Sequence, residues 1–413
     1  MPLAEAVRPE LEFLLLCSRT LLKKEDAERA CALVAGGLSW AYLLLVAARQ
    51  GVAPLLYWHL ARICPDRIPG AVLGVFRSLF RTHFRQARFL SRELVRILGL
   101  LQVGRIPAIP YKGPTLAQRL YGHLSLRPFC DLDLLVRPSE ALTTMRVLES
   151  AGYRSESRFS AAQQAAYLRS GCEFVLRNDE GPAIVELHWR VVPGNWAVEF
   201  DFEDLLSRAE TTLVAGTAVL SLAPADLLLV LCVHGCKHLW EKLGMVCDVA
   251  QLVRAGGLNW EAVLRRAHEL GTQRILLLGL TLAHDLLQAP VPPEILGKAR
   301  RDRWVPSLAA EVERGLCQVE SPANALLRRN WFALRSRERP ADRARYLLRS
   351  AFTPGPEDWS SLPLPQPWFP LYRILRPVRL LKTYGLSALG SLAAEGWNRL
   401  DPRRKGGATR AAR

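Results

Sequence analysis

Apolar residues change their spacing twice along this chain, and that constrains the fold more than any single motif. Up to about residue 103 they recur at helical period, broken at residues 51–54 and 64–70, so a helical region is expected over 1–103. Between about 105 and 220 the runs become short and close on turn residues. Residues 105–111, ending at Lys112-Gly113-Pro114, and residues 131–136 read as strands. Residues 138–152 read as a helix opened by Pro138 and Ser139 and stopped by Gly152. Residues 172–176 and 183–191 flank Asn178-Asp179-Glu180-Gly181, whose turn formers predict a β-hairpin. From Pro224 to about Leu287 helical spacing returns, with stops near Gly244, Gly256-Gly257 and Gly271. The expected fold class is α/β of the α+β kind. A small mixed-sheet core over 104–222 is flanked by helical regions over 1–103 and 223–345. A Pro-rich segment and basic tail follow over 346–413, where PGPEDWSSLPLPQPWFP excludes regular sheet or long helix. The final RRKGGATRAAR reads as a disordered basic tail.

Size and charge narrow the function classes. Half of the 413 residues are hydrophobic, which supports two or three packed units and excludes disorder over most of the length. Fifty-five Lys and Arg against thirty-nine Asp and Glu leave +16, favouring anionic partners: nucleotides, nucleic acid or acidic membrane. The nine cysteines are odd in number and several lie in apolar runs, which suits reduced core residues of a cytosolic protein. The N-terminal MPLAEAVRPE lacks a signal-peptide pattern, and no apolar run approaches the roughly 20 residues that span a bilayer. A cytoplasmic protein is expected.

The chemistry centres on Asp131-Leu132-Asp133. Side chains two apart on a strand share a face, so the two carboxylates project together while Leu132 and Leu134 turn to the core. Like charges so close raise each other's pKa unless a cation lies between them, and Mg²⁺ held by carboxylates and substrate phosphates meets that need. The plainer reading is two solvated acids on a strand edge. A third acid, Glu186, shares its strand face with Ile184 and His188, while Val185, Leu187 and Trp189 share the other. Upstream, Lys112 and Gly113 end one strand and open the helix 115–121, where backbone N–H groups and a cation can meet phosphate oxygens. Arg127, four residues before Asp131, is a second cation within reach of a triphosphate. The joint order of strand, Lys-Gly, helix, Arg, D-x-D, helix and Glu-bearing hairpin favours a catalytic site over the plain reading.

On IPYKGPTLAQRLYGHLSLRPFCDLDLLV, VELHWRV, VHGCKHLWEKLGMVCDVAQLV, WSSLPLP and RPVRLL, the sequence resembles the polymerase-β-like nucleotidyltransferases, most closely the bacterial uncharacterised nucleotidyltransferase family. The resemblance implies that Asp131, Asp133 and Glu186 bind Mg²⁺, or Mn²⁺ in its place, and that Gly113 helps seat the triphosphate of ATP or another NTP. A nucleoside monophosphate would then pass to an acceptor with release of pyrophosphate. The superfamily's Gly-Ser or Gly-Gly lies about ten residues before D-x-D, whereas here a single Gly113, followed by Pro114, lies eighteen residues before Asp131. Lys112-Gly113 with Arg127 also resembles abortive-infection toxin nucleotidyltransferases, which keeps small-molecule, protein and RNA acceptors open. The rivals are a nucleotide-binding regulatory protein without turnover and an RNA-binding module. No aromatic-basic RNA signature is legible in the sequence to support the latter.

Cys232, His234, Cys236 and His238 fall on one expected helix, but at 100° per residue the cysteines share one face and the histidines another, which argues against zinc. His234, Lys237, His238, Trp240 and Asp248 match the family's second motif. The helix is expected either to contribute base or phosphate contacts or to carry a hydrogen-bonded His pair. His188 is expected to touch phosphate or acceptor, or else to be packed in the core. Arg373, Arg376, Arg379 and Lys382 recur every third residue, which suits a solvated face or contact with acidic lipid or RNA.

Overall fold

The computed structural model describes residues 8–179, 181–317 and 325–382; Glu180 of the hairpin turn and the tail 403–413 lie outside the described residues. The region expected to be helical contains α1 (Pro9–Cys17), α2 (Lys24–Ala35), α3 (Trp40–Arg49), α4 (Ala53–Ile63) and the 34-residue α5 (Gly70–Val103). β1 (Ala108–Pro110), α6 (Gly113–Tyr121), β2 (Leu132–Val136), α7 (Ala141–Ser150), β3 (Tyr153–Ser155), α8 (Ala161–Ser170), β4 (Glu173–Asn178) and β5 (Ile184–His188) follow. After α9 (Phe202–Arg208) comes a hairpin of β6 (Glu210–Val214) and β7 (Thr217–Ser221). The chain then returns to helix in α10 (Pro224–Lys237), α11 (Leu243–Ala255), α12 (Trp260–Leu270), α13 (Gln273–Leu287), α14 (Pro293–Arg301), α15 (Val305–Cys317), α16 (Ala325–Arg335), α17 (Pro340–Phe352), α18 (Pro356–Ser361) and α19 (Tyr372–Leu380). Among the described residues no helix is long and apolar enough to cross a membrane.

Local chemistry explains most boundaries. Pro114 starts α6, and Gly122 ends it in the left-handed conformation. Ser160 and Gln163 form a capping box on α8, and Asp201 and Asn259 cap α9 and α12. The β6–β7 hairpin has a less obvious signal: Ala215 and Gly216 both adopt positive φ (49° and 81°), a tight turn made with Ala-Gly in place of Asn-Gly. The first strand is shorter than expected, because Arg105 also takes positive φ (54°) and delays extension to Ala108.

The five-stranded sheet has the order β1-β2-β5-β4-β3, with β2 and β5 parallel and the other pairs antiparallel, so it is mixed as expected. One face is apolar: Leu132, Leu134, Val136, Phe174, Leu176, Val185 and Leu187 pack with Leu90, Leu94 and Ile97 of α5 and Leu148 of α7. The opposite face carries Asp133, Glu186 and His188. A second core unites residues of α1–α4 with those of α10, α11 and α13, so the two helical regions bury their apolar faces against each other. Eight of the nine cysteines are unpaired, and six of those eight are buried.

Near the C-terminal end of the described residues, Arg376 and Arg379 turn inward and do not form an open basic face. Arg376 Nη1 lies 2.5 Å from Asp358 Oδ2 and Arg379 Nε lies 2.7 Å from Oδ1, while the Gly355 N–H donates to Oδ2 at 2.8 Å. Burial alone would raise the Asp358 pKa, but that N–H and the two guanidiniums hold it below the ordinary carboxylate range. A depressed pKa contributes stability above the unfolded value, about 3.9, and loses it as pH falls through the folded one. Asp358→Asn is expected to lower the unfolding free energy by about 3 kcal/mol at pH 7. In urea titrations at pH 7 and pH 3 the gap from wild type should shrink at the lower pH; an equal gap at both would remove the ionic clamp.

Candidate active site

Sheet register brings the acids together. The parallel β2–β5 pair sets Asp133 opposite Glu186, and the antiparallel β4–β5 pair sets Glu173 opposite His188. Asp133, Glu186 and His188 offer ligand atoms all within 4.8 Å of one another, and a second such set, Cys172, Glu173 and His188, shares the histidine. Asp131 stands just ahead of β2, outside these two tight sets, because the strand begins at Leu132.

Lys112 completes the cluster from the end of the neighbouring strand. Its buried Nζ lies 2.5 Å from Asp133 Oδ1. His188 Nε2 lies 3.3 Å from that oxygen and 3.3 Å from Glu186 Oε2; its Nδ1 lies 3.2 Å from Glu173 Oε2. Lys237 of α10 reaches to 3.9 Å from Glu173.

Burial and partner charge pull the ionisable groups apart. For Asp133, burial would raise the pKa, but Lys112 and His188 hold it well below the carboxylate range. For His188, burial would lower the pKa, yet Asp133, Cys172 and Glu186 raise it well above the usual value, so the ring is cationic at neutral pH. Asp131 lacks such partners: burial, then Asp133 and Glu186, push its carboxyl up to about 6. His234 and His238 go the other way. Burial, then Lys112, drives His234 well below its usual value, and burial with Lys237 lowers His238 to about 4. With ring centroids 4.6 Å apart, the two are neutral imidazoles that can donate or accept one hydrogen bond each.

Gly113 couples the Lys-Gly turn to the D-x-D segment. Its φ is +55°, and a Cβ there would meet the Asp131 carbonyl oxygen at 3.1 Å. Only glycine adopts this backbone without strain and lets α6 begin against the head of β2. Arg127, expected within reach of a triphosphate, lines the cleft with its guanidinium paired to an acid. Its Nε and Nη2 donate to Asp248 Oδ1 and Oδ2 at 2.9 Å each, and the Tyr121 hydroxyl donates to Oδ1 at 2.7 Å. This buried pair ties the segment ahead of Asp131 to α11.

A cleft of about 560 Å³ opens over the acid face, within the size range of small-molecule sites. Lys112, Asp131, Asp133 and Glu186 line its floor side; His234 and Lys237 of α10 and His83 and Gln86 of α5 line its walls. Sequence reasoning missed Glu173, whose only signal was its position opposite His188 in the hairpin, and the α5 residues, which carried none. The donor set suits a divalent cation. Oxygen ligands dominate, burial and then the neighbouring Asp133 and Glu186 displace the carboxyl of Asp131 upward, and buried Asp133 Oδ1 accepts no aligned hydrogen bond despite two cations nearby.

Gly113→Ala is expected to cost about 1–2 kcal/mol of stability from the positive φ alone, and to loosen the approach of α6 to Asp131; thermal denaturation checks the first and metal titration the second. Asp248→Asn should destabilise by about 3 kcal/mol, because it leaves the Arg127 guanidinium buried without its counter-charge. Unchanged unfolding in that variant would show that the pair carries no load.

No curated protein and no solved structure is matched by this chain. The profile of one family does match, over residues 37–288, which takes in α3 to α13, the whole acid cluster and both walls of the cleft. By that match, covering more than half of the 413 residues, the chain belongs to the uncharacterised nucleotidyltransferase family.

Proposed function

We propose that the protein transfers a nucleoside monophosphate from an NTP to an acceptor hydroxyl, with release of pyrophosphate and dependence on Mg²⁺ or Mn²⁺. The observation that carries this reading is the parallel register of Asp133 with Glu186 in a cleft that also holds Lys112 and Asp131. In this reading residues 104–222 are the catalytic unit and residues 223–345 supply the α10 wall.

Asp131, Asp133 and Glu186 would hold the cation, which when bound would neutralise phosphate charge and lower the pKa of a coordinated oxygen. The chain's own groups do the rest. The N-terminus of α6 at Gly113 would present backbone N–H groups to phosphate oxygens beside Lys112. Lys112 adds a buried positive charge beside them, and Lys237 adds another from α10. His188, kept cationic by its carboxylate neighbours, fixes the Asp133 and Glu186 side chains in one orientation and serves as their positioning group. His234 and His238, uncharged, offer hydrogen bonds to the nucleoside without adding charge repulsion against Lys112. The acceptor oxygen bonds to the α-phosphorus as the bond to pyrophosphate breaks. The hydroxyl proton passes to a carboxylate of the cluster or to water, and the leaving oxygen keeps the bonding electrons. The full set of acids favours turnover over a silent nucleotide-binding role.

Incubation of the protein in cell extract with each radiolabelled NTP and Mg²⁺ or Mn²⁺ should yield labelled product that an Asp131→Ala, Asp133→Ala variant does not form. Equal labelling by both proteins, or none with any NTP, would sink the transfer reading. Metal titration of Glu186→Gln should show affinity weakened by about tenfold or more; unchanged affinity removes Glu186 from the ligand set.

A further inference from the structure

Helix α5 presents two different faces at the same turns. His83 and Gln86, with Leu79, line the cleft. At 100° per residue Arg77, Arg81, Arg85, Arg88 and Arg92 fall within an 80° sector on another side, and all five are exposed. From Arg77 to Arg92 the row spans sixteen residues, about 22 Å of helix. Glu93 is the helix's single acid, and it is engaged by Arg96 and by the Tyr153 hydroxyl. Among the described residues none of the five arginines has a carboxylate partner. An ordinary solvated helix face interleaves both signs; this one repels itself unless an anion covers it.

Rings gather along the flank of this row. His123, from the turn after α6, stacks on Phe80 and Phe84 of α5 at centroid distances of 5.8 Å each and tilts against Trp58 of α4 at 5.7 Å. The Arg62 guanidinium lies 3.3 Å from the centre of the Trp58 ring, and Arg88 lies 5.6 Å from that of Phe84, which is 36% exposed. Three segments far apart in sequence thus build one aromatic and basic surface. It abuts the cleft, since Tyr121 and Leu126 on either side of His123 line the cleft wall.

We propose that this surface docks a single strand of nucleic acid, and that the docked strand is the acceptor in the transfer reading above, on which this second clause rests. A row of guanidiniums tracks a phosphodiester backbone, and the exposed Phe84 ring beside it takes an unstacked base, which every sequence offers. A bilayer does not fit, because the most outward part of α5 is arginine where an interfacial helix is apolar. A strand lying on α5 passes within one helix width, about 10 Å, of the cleft, so its end reaches the acid cluster around the helix.

Fluorescence anisotropy with a labelled 20-nucleotide mixed-sequence RNA, the DNA of the same sequence and phosphatidylglycerol vesicles, over 50–300 mM KCl, tests this. The wild-type chain should bind the strands, with affinity falling steeply as salt rises. An Arg81→Gln, Arg85→Gln, Arg88→Gln variant should lose about tenfold or more in affinity and flatten the log–log salt slope by about 2, from about 0.7 for each lost contact. Phe84→Ala should lose about tenfold and keep the slope. ATP binding in the cleft should not change in the triple variant, which also controls for folding. Tighter binding of RNA than DNA assigns the ribose strand; equal binding assigns a surface indifferent to the sugar. No strand binding at 50 mM salt, binding that ignores the arginine substitutions, or arginine-dependent capture of vesicles alone overturns the docking face. The Asp131→Ala, Asp133→Ala variant should still bind the strand. Strand binding in the wild type with no label passed from an NTP to the strand removes the acceptor clause and leaves the docking face standing; the transfer reading falls only if no product is labelled in cell extract.

Discussion

The contact on which the rest depends is the buried ion pair between Lys112 and Asp133, 2.5 Å apart at the meeting of β1 and β2. An isolated carboxylate at this depth would be driven to its neutral form. With Lys112 on one side and cationic His188 on the other, Asp133 stays ionised, and its charge in turn keeps both cations charged. The sheet order serves this arrangement. The parallel pairing of β2 with β5 places Glu186 at the same level, and the antiparallel β4 adds Glu173 on the far side of His188. Asp131 is in neither tight cluster, and burial, then Asp133 and Glu186, raise its pKa.

Such a site needs rigid walls, and the helical regions provide them. α10 and α11 bury nearly every residue that faces inward, so His234, Lys237 and Asp248 are delivered to the cleft by elements with little freedom to move. The bidentate Arg127–Asp248 pair then clamps the segment leading into Asp131. Arg127 contributes to the site by shaping it. α5 belongs to both structures at once: its C-terminal half closes the apolar face of the sheet, its N-terminal half forms the cleft wall, and the arginine row runs across the middle of the helix on another side. The aromatic cluster beside that row escaped sequence reading because Trp58, Phe80, Phe84 and His123 come from three segments with no shared motif.

Where the sequence was legible, a local cause was at work. Alternation along 184–189 assigns Glu186 and His188 to one face and Val185 and Leu187 to the other, and the structure has this pattern, because period-two geometry is a property of the strand alone. Lys112-Gly113-Pro114 marks a strand end and a helix start because glycine and proline act on their own backbone. Of the D-x-D pair, Asp133 lies within β2 and Asp131 stands one residue ahead of it. The basic run 373–382 showed the limit of composition, since two of its cations are taken up by Asp358.

By itself, the sequence determined the class of fold, the helix–sheet–helix order, the strand faces and the residue types able to hold a cation and phosphate, all of which follow from backbone propensity and side-chain period. Tertiary structure decided which of those residues meet: Asp133 with Glu186 and Lys112, Arg127 with Asp248, Glu173 with His188, and the α5 row Arg77, Arg81, Arg85, Arg88 and Arg92 with no carboxylate partner among the described residues. These are contacts between segments up to 121 residues apart, as for Arg127 and Asp248. Strand register and helix packing set them, and both answer to the burial of apolar faces across the whole chain, which no local window of sequence contains.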